Sequence, residues 1–418
     1  MPLFLVIFLN AFVDLGHKIT IQNIVFKVHD GSAQVVLIAV INALILLPYI
    51  FLFLPAARFV DRNPKPKVMR ITAWSSLLLV CLIVISYRQG WFWLAFMMTF
   101  LMAVQSTFYS PAKLSFLKHL FGIADLTKAN GIAQASAIAG ILLGTLIFSI
   151  GFEHFFDASL IASNRLSASG NAKGVGLQQV SSLGVALFAL AVMQLLLAYR
   201  IPSCASDKPK IALHCAQSGL TMIRRVTRTR HFFVPIAGLA LFWSVGQGML
   251  AVFPPYAKAY AGITNAAVVQ AILAASTIGI LVGAWLASKF AGGVGRLETI
   301  PCGVFGLCLG LWSLLYWQSP LAFALVYFFM GLCSALFIVP LNAYLQWRAD
   351  NQHIGSILVT SNLFQNIAML AMLVLTVMFA VLILDVRALL YAIATIASLG
   401  GLSVLYLLRH LPRDGAAP

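Results

Sequence analysis

Long apolar runs separated by short charged or turn-rich breaks dominate the chain. Each run approaches the roughly 20 residues that an α-helix needs to cross a bilayer. Runs such as residues 37–54 are almost continuously apolar, whereas strands of membrane barrels alternate over about ten residues, so the pattern favours helices. We predict twelve of them, at residues 3–27, 33–57, 69–88, 91–112, 128–151, 179–201, 231–253, 266–290, 299–317, 321–345, 356–380 and 384–408.

A polar, basic segment divides the predicted helices into two sets of six. It lies at residues 202–230, between the sixth and the seventh apolar run. We therefore predict an all-α membrane protein built of two six-helix bundles. The predicted parts are an N-terminal bundle at 1–201, a cytoplasmic linker at 202–230 and a C-terminal bundle at 231–418.

Composition supports a membrane protein and explains the charge. The 418 residues are 61% hydrophobic and only 9% charged, whereas a soluble domain carries about 25% charged residues. The formal net charge of +16 comes without any nucleic-acid-binding motif, so we expect no nucleic acid partner. Most Lys and Arg residues fall in the loops on one side of the predicted bundle, which predicts that both termini are cytoplasmic.

The first predicted helix carries a polar stripe. On a helical wheel Asn10, Asp14 and His17 lie within about 60° of each other, and Lys18 and Gln22 extend the stripe. Ionisable residues inside a span are costly, and they indicate a function by default. We predict substrate binding here, with Asp14 as the principal residue. The alternative is a local pair between Asp14 and Lys18, which are four residues apart, that only neutralises both charges.

A second cationic candidate follows the fourth predicted helix. Lys113 ends the segment Tyr109-Ser110-Pro111-Ala112-Lys113. Pro111 is expected to break or kink the backbone, which would turn Lys113 towards a substrate cavity. The alternative is that Lys113 is one more cytoplasmic charge.

The second half offers uncharged polar groups. Gln247 lies in the seventh predicted helix, which we expect Pro254 and Pro255 to end, and Asn362 and Asn366 lie in the eleventh. These amides are candidate substrate contacts, or they bridge helices without touching substrate. The prediction is a cavity that is charged on its N-terminal side and neutral on its C-terminal side.

The loop after the second predicted helix resembles a known motif. Residues 57–67 read Ala-Arg-Phe-Val-Asp-Arg-Asn-Pro-Lys-Pro-Lys, which is similar to the signature loop of the major facilitator superfamily. The resemblance implies a conformational latch formed by Asp61 and Arg62, in which Asp61 faces the N-terminal dipole of the eleventh helix. The alternative is an ordinary basic loop.

Further segments resemble the bacterial lysophospholipid transporters of that superfamily. They are Tyr109-Ser110-Pro111-Ala112-Lys113, Lys128-Ala129-Asn130-Gly131 and Val339-Pro340-Leu341-Asn342-Ala343. The resemblance implies alternating-access movement of lysophosphatidylethanolamine and related lysolipids to the cytoplasmic leaflet of the inner membrane for reacylation. It also implies a functional link to an acyltransferase and an acyl-carrier-protein ligase. Where a basic residue is expected in the seventh helix, this chain has Met249 and Leu250.

No enzyme motif accompanies these segments. The sequence has no His/Cys metal cluster, no Walker loop and too few carboxylates for paired acid and base catalysis. We expect a monomeric transporter without a cofactor or metal. Two other functions stay open: proton-coupled efflux of small amphipathic compounds with Asp14 or His17 as proton carrier, and a membrane scaffold for lipid enzymes.

Overall fold

The computed structural model describes residues 2–121, 126–157, 159, 172–202, 223–224, 226–290, 297–348, 354–382 and 385–410. This part of the chain is helical and contains no strand, which confirms the all-α prediction. In chain order the helices are α1 (Pro2–Val28), α2 (Gly31–Phe51), α3 (Phe53–Arg62), α4 (Lys65–Gln89), α5 (Phe92–Phe121), α6 (Leu126–Phe155), α7 (Ala172–Gln179), α8 (Ser181–Tyr199), α9 (Arg230–Ala261), α10 (Ala266–Phe290), α11 (Ile300–Ser313), α12 (Pro320–Arg348), α13 (Ile354–Leu382) and α14 (Val386–Arg409).

Eleven of the described helices are long and apolar enough to cross a membrane. The protein is therefore a multi-pass membrane protein. The ninth predicted span, 299–317, corresponds to α11, which has only 14 residues. At 1.5 Å per residue such a helix is about 21 Å long, shorter than the roughly 30 Å hydrocarbon layer.

Three prolines do not end their helices as the sequence suggested. Helix α5 continues past Pro111 to Phe121, and α9 continues past Pro254 and Pro255 to Ala261. Pro254 and Pro255 of α9 are both buried. Transmembrane helices tolerate proline because packing and local adjustment compensate for the lost backbone hydrogen bond. The predicted break at Pro111 and the predicted end at Pro254 were wrong, and a kink at Pro111, the other form of that expectation, stays a prediction.

The predicted second helix, 33–57, is two helices. Helix α2 ends at Phe51, and α3 begins at Phe53 after Leu52. Pro55 has no N–H to bond the carbonyl of Phe51, and its ring would clash with that carbonyl in a continuous helix. The signature segment is therefore partly helical and not an open loop.

Two segments assigned to loops are only partly described. Of the stretch 152–178, α6 reaches Phe155 and α7 begins at Ala172, so residues expected to lack structure are helical. Residues 203–222 of the predicted linker lie outside the described part of the chain.

The chain separates into two compact units. The first comprises Met1–His29, Ala43–Leu213 and Asn265–Gln270, and the second comprises Asp30–Asn42, His214–Thr264 and Ala271–Pro418. The predicted division at 1–201, 202–230 and 231–418 stays a prediction.

Close packing of α6 against α1 sets the position of the polar stripe. A Cβ atom at Gly140 would overlap the carbonyl oxygen of Phe8, and one at Gly144 would lie 3.0 Å from that of Phe12. Only glycine permits this approach of the two backbones. Near the other end of α1, Lys27 and Glu153 form an ion pair at 2.8 Å. Helix α1 is thus held to α6 along most of its length.

Candidate functional site

The carboxylate of Asp14 lies at the centre of a polar cluster in the first unit. Its Oδ2 atom accepts hydrogen bonds from Asn10 Nδ2, at 3.1 Å, and from the Ser106 hydroxyl of α5. Its Oδ1 atom is buried, and no donor in the described part of the chain reaches it. One carboxylate oxygen is therefore occupied by the protein, and the other is an open acceptor.

Asn10 connects Asp14 to two further helices. Its Oδ1 atom accepts hydrogen bonds from Gln105 Nε2 of α5, at 3.2 Å, and from Gln194 Nε2 of α8, at 3.1 Å. Sequence reasoning missed Gln105, Ser106 and Gln194. Each is a polar residue inside an apolar run, which is the signal that singled out Asn10, so the same criterion applied to every span would have found them.

Lys113 is the cation associated with this cluster. It is half-buried on α5, its charge interacts with that of Asp14, and its Nζ atom lies 5.8 Å from the centre of the Tyr109 ring. Lys113 is not at ion-pair distance from Asp14. The unpaired carboxylate oxygen of Asp14 and the cation of Lys113 therefore remain two separate charged groups of the first unit.

Lys18 does not neutralise Asp14. The two side chains form no ion pair, although both are described and lie four residues apart on α1. The local-pair alternative is therefore wrong for this conformation. Lys18 is half-buried and is the basic residue of the stripe on α1.

His17 is fully buried and connects three helices. Its Nε2 atom lies 3.0 Å from the carbonyl oxygen of Ala95 on α5, and its Nδ1 atom lies 2.9 Å from the Tyr87 hydroxyl of α4. A carbonyl only accepts, so Nε2 carries the proton and Nδ1 accepts from Tyr87. Both ring nitrogens are thus used within the protein. The substrate-binding and proton-carrier roles of His17 stay predictions. Each role needs a ring nitrogen that is not already bonded within the protein, and His17 has none in this conformation.

The geometry of His17 predicts a structural effect of its loss. Replacing His17 with leucine removes the acceptor of the buried Tyr87 hydroxyl and the donor to Ala95. Leaving a buried polar group unsatisfied costs about 1–3 kcal/mol, so we expect a lower melting temperature and less protein in the membrane. Differential scanning fluorimetry in detergent measures the change. The Tyr87→Phe, His17→Leu double variant should recover part of the loss, and no recovery would contradict this assignment.

The polar residues predicted in the second unit do not form a comparable cluster. Gln247 is half-buried on α9 and its Oε1 atom has no partner among the described atoms. On α13, Asn366 Nδ2 donates to the backbone carbonyl of the exposed Asn362 at 2.9 Å. No described hydrogen bond joins these three side chains. Met249, which stands where a basic residue was expected, is buried.

The predicted latch is only partly described. Arg62 is exposed at the end of α3, and the side chain of Asp61 lies outside the described structure. The latch role of both residues stays a prediction. Among the residues that the structure covers, no three His, Cys, Asp or Glu side chains come together in a possible metal site.

Comparison with known proteins shows the family. The family model described as Major Facilitator Superfamily matches residues 3–372. The chain belongs to this superfamily. The solved D-xylose-proton symporter, at 17% identity and a TM-score of 0.67, matches 98% of this chain and 98% of its own. A bacterial homologue of the human lysosomal transporter Spinster, in an inward-facing and occupied conformation, matches at 13% identity with a TM-score of 0.68 and covers 99% of this chain and 98% of its own. These structures confirm the major facilitator fold.

Curated relatives confirm the resemblance to lysophospholipid transporters. The lysophospholipid transporter LplT of Yersinia enterocolitica is 28% identical over 78% of this chain and 74% of the relative. The lysophospholipid transporter LplT of Yersinia pestis is 30% identical over 65% of this chain and 62% of its own length. The chain thus matches less than two thirds of the second relative. The family and the relatives are those of membrane transporters.

Proposed function

We propose that this protein carries lysophospholipids with a primary-amine headgroup, such as lysophosphatidylethanolamine, to the cytoplasmic leaflet of the inner membrane. The observation that carries the proposal is the open Oδ1 atom of Asp14, with the Lys113 charge nearby in the same unit. The names of the curated relatives support the same substrate class.

The headgroup chemistry fits this pair of charges. Lysophosphatidylethanolamine is zwitterionic, with a cationic ammonium and an anionic phosphate. In the proposal Asp14 accepts hydrogen bonds from the ammonium and Lys113 contacts the phosphate, because charge-assisted hydrogen bonds are the stronger ones. Shielding both charges lowers the cost of taking the headgroup through a roughly 30 Å apolar layer. The single acyl chain stays in lipid during the transfer.

The mechanism and the cellular setting are part of the proposal. Alternating access, which is general for transporters built of repeated halves, is the proposed mode of transfer. Both termini face the cytoplasm, and the protein acts as a monomeric transporter without a catalytic step of its own. The lysolipid delivered to the cytoplasmic leaflet is reacylated by an acyltransferase working with an acyl-carrier-protein ligase.

Purified protein in liposomes tests the function. Lysophosphatidylethanolamine with a fluorescent acyl chain is added to liposomes of phosphatidylethanolamine and phosphatidylglycerol, and dithionite quenching reports the fraction that has crossed the bilayer. We expect saturable movement that unlabelled lysophosphatidylethanolamine competes away. Protein-free liposomes and liposomes with an unrelated membrane protein are the controls.

Imposed ion gradients separate this function from efflux. Export of amphipathic compounds that depends on a pH gradient and does not respond to lysolipid would overturn the proposal in favour of a proton-coupled efflux transporter. Lysolipid movement equal to that in protein-free liposomes would also overturn it.

A further inference from the structure

The Asn10 amide lies between two amide donors on one side and the Asp14 carboxylate on the other. Gln105 Nε2 and Gln194 Nε2 both donate to Asn10 Oδ1, at 3.2 and 3.1 Å. Since the oxygen side of the amide is held by these donors, the nitrogen side must point the other way. Asn10 Nδ2 accordingly lies 3.1 Å from Asp14 Oδ2 and 3.4 Å from the Ser106 hydroxyl.

This orientation determines how the carboxylate of Asp14 is presented. A reversed Asn10 amide would place a carbonyl oxygen against Asp14 Oδ2, and two acceptors at that distance repel. In the observed orientation Oδ2 receives the Asn10 and Ser106 donors, while Oδ1 receives none from the described chain. In this network Oδ2 is the paired oxygen of Asp14, and Oδ1 is the unpaired one.

Gln194 is the most remote member of this network. It lies on α8, 184 positions after Asn10, and only 1% of it is exposed. Its Nε2 atom donates to Asn10, and no hydrogen bond joins Gln194 to Asp14 among the described residues. The described bonds therefore link Gln194 to Asp14 only by way of Asn10.

We propose that Gln194 is a positioning residue that determines headgroup selectivity, an inference that rests on the proposed function. By fixing the Asn10 amide, Gln194 keeps Asp14 Oδ1 as the acceptor for a primary ammonium group. A primary ammonium has three N–H donors for this oxygen, whereas a trimethylammonium group has none. If the Asn10 amide loses this orientation, the primary ammonium headgroup loses part of its advantage over the trimethylammonium headgroup. The phosphate contact is the same for both headgroups.

Selectivity and a double-variant cycle test this role. Gln194→Met keeps the side-chain length and removes the donor, and Gln194→Asn keeps an amide that is one methylene too short. In the liposome assay we expect each to lower the ratio of lysophosphatidylethanolamine to lysophosphatidylcholine transport by about fivefold, the scale of one lost hydrogen bond. Rates are taken per folded, monodisperse protein, so reduced folding does not mimic the effect.

The cycle with Asn10 identifies the route. Asn10→Leu alone should lower the same ratio by at least as much as Gln194→Met. If Gln194 acts through Asn10, the double variant is no worse than Asn10→Leu, because the interaction that the second change removes is already absent. Additive losses would overturn the proposed route.

Asn23 provides a matched control within α1. It is also almost fully buried, and its Nδ2 atom donates to the Ser149 hydroxyl of α6 at 3.2 Å, without a bond to the Asp14 cluster. Asn23→Leu should lower stability and leave the headgroup ratio unchanged. If the Gln194 variants also leave the ratio unchanged while the unaltered protein transports lysolipid, the positioning role is wrong and the proposed function stands. If the unaltered protein moves no lysolipid, both are overturned.

Discussion

Replacing Asp14 with asparagine is expected to lower lysophosphatidylethanolamine transport by about 100-fold with normal protein abundance. The substitution keeps the size of the side chain and removes the negative charge, so the headgroup ammonium has no counter-charge at the site. Loss of one partner from a desolvated charge pair costs about 2–5 kcal/mol, which corresponds to a factor of 100 near the lower end of that range. Inward movement of labelled lysophosphatidylethanolamine in spheroplasts measures the effect.

Asp157 supplies the control for this experiment. It is exposed and bonds to nearby loop groups, among them the backbone and hydroxyl of Ser159. Asp157→Asn removes the same charge outside the membrane-spanning helices and should leave transport within about twofold of normal, because charge interactions at the exposed surface contribute little. Full activity of Asp14→Asn would remove Asp14 from the substrate site. If no substitution in the Asp14 cluster changed transport, the scaffold function would be favoured.

Replacing Lys113 with methionine is expected to lower transport by about tenfold and to raise the half-saturating lysolipid concentration. Methionine keeps the unbranched stem but removes the cation over the Tyr109 ring and the charge that we propose contacts phosphate. The expected loss is smaller than for Asp14, because Lys113 is only half-buried and water screens part of its charge. Lys113→Arg keeps a cation that binds phosphate well and should retain most of the rate. Initial rates in liposomes over a range of lysolipid concentrations give both quantities.

The exposed Lys67 of α4 tests whether any basic residue matters equally. Lys67→Met should change neither the rate nor the half-saturating concentration. A loss as large as that of Lys113→Met would indicate that the basic residues act on orientation or on the lipid surface and not on the headgroup. Normal transport by Lys113→Met would assign the phosphate contact elsewhere.

Much of the candidate site could be predicted because charge inside an apolar run is conspicuous. Asp14 was found in this way and Asn10 by its place on the same helix face, and the structure joins the two by a hydrogen bond. Lys113 lies on α5 and forms no ion pair with Asp14. Gln105 and Ser106 were missed because uncharged polar residues in a span have several ordinary roles. Their importance becomes visible only through contacts with residues more than 90 positions away.

His17 shows why a pattern on one helix is insufficient. Its place in the stripe suggested a substrate contact, yet His17 is fully buried and its ring nitrogens bond to Tyr87 and Ala95. The helical period places His17 on the same face as Asp14, and one face of a helix can pack against different neighbours along its length. The neighbours of α1 change from the Asn10 level to the His17 level, and that change is a property of the assembled helices.

The apolar runs alone were enough to predict an all-α, multi-pass membrane protein with rare charges inside its spans. A bilayer has a fixed thickness and no water to satisfy the backbone, so apolar run length is enough to predict spanning helices. The packed helices were needed to show that helices continue through Pro111 and Pro254, that Gln194 donates to Asn10, and that one oxygen of Asp14 is unpaired. These features depend on how closely helices approach one another, as at Gly140 against Phe8. Hydrogen-bond partners come from distant parts of the chain, and the apolar pattern of a single helix carries no information about them.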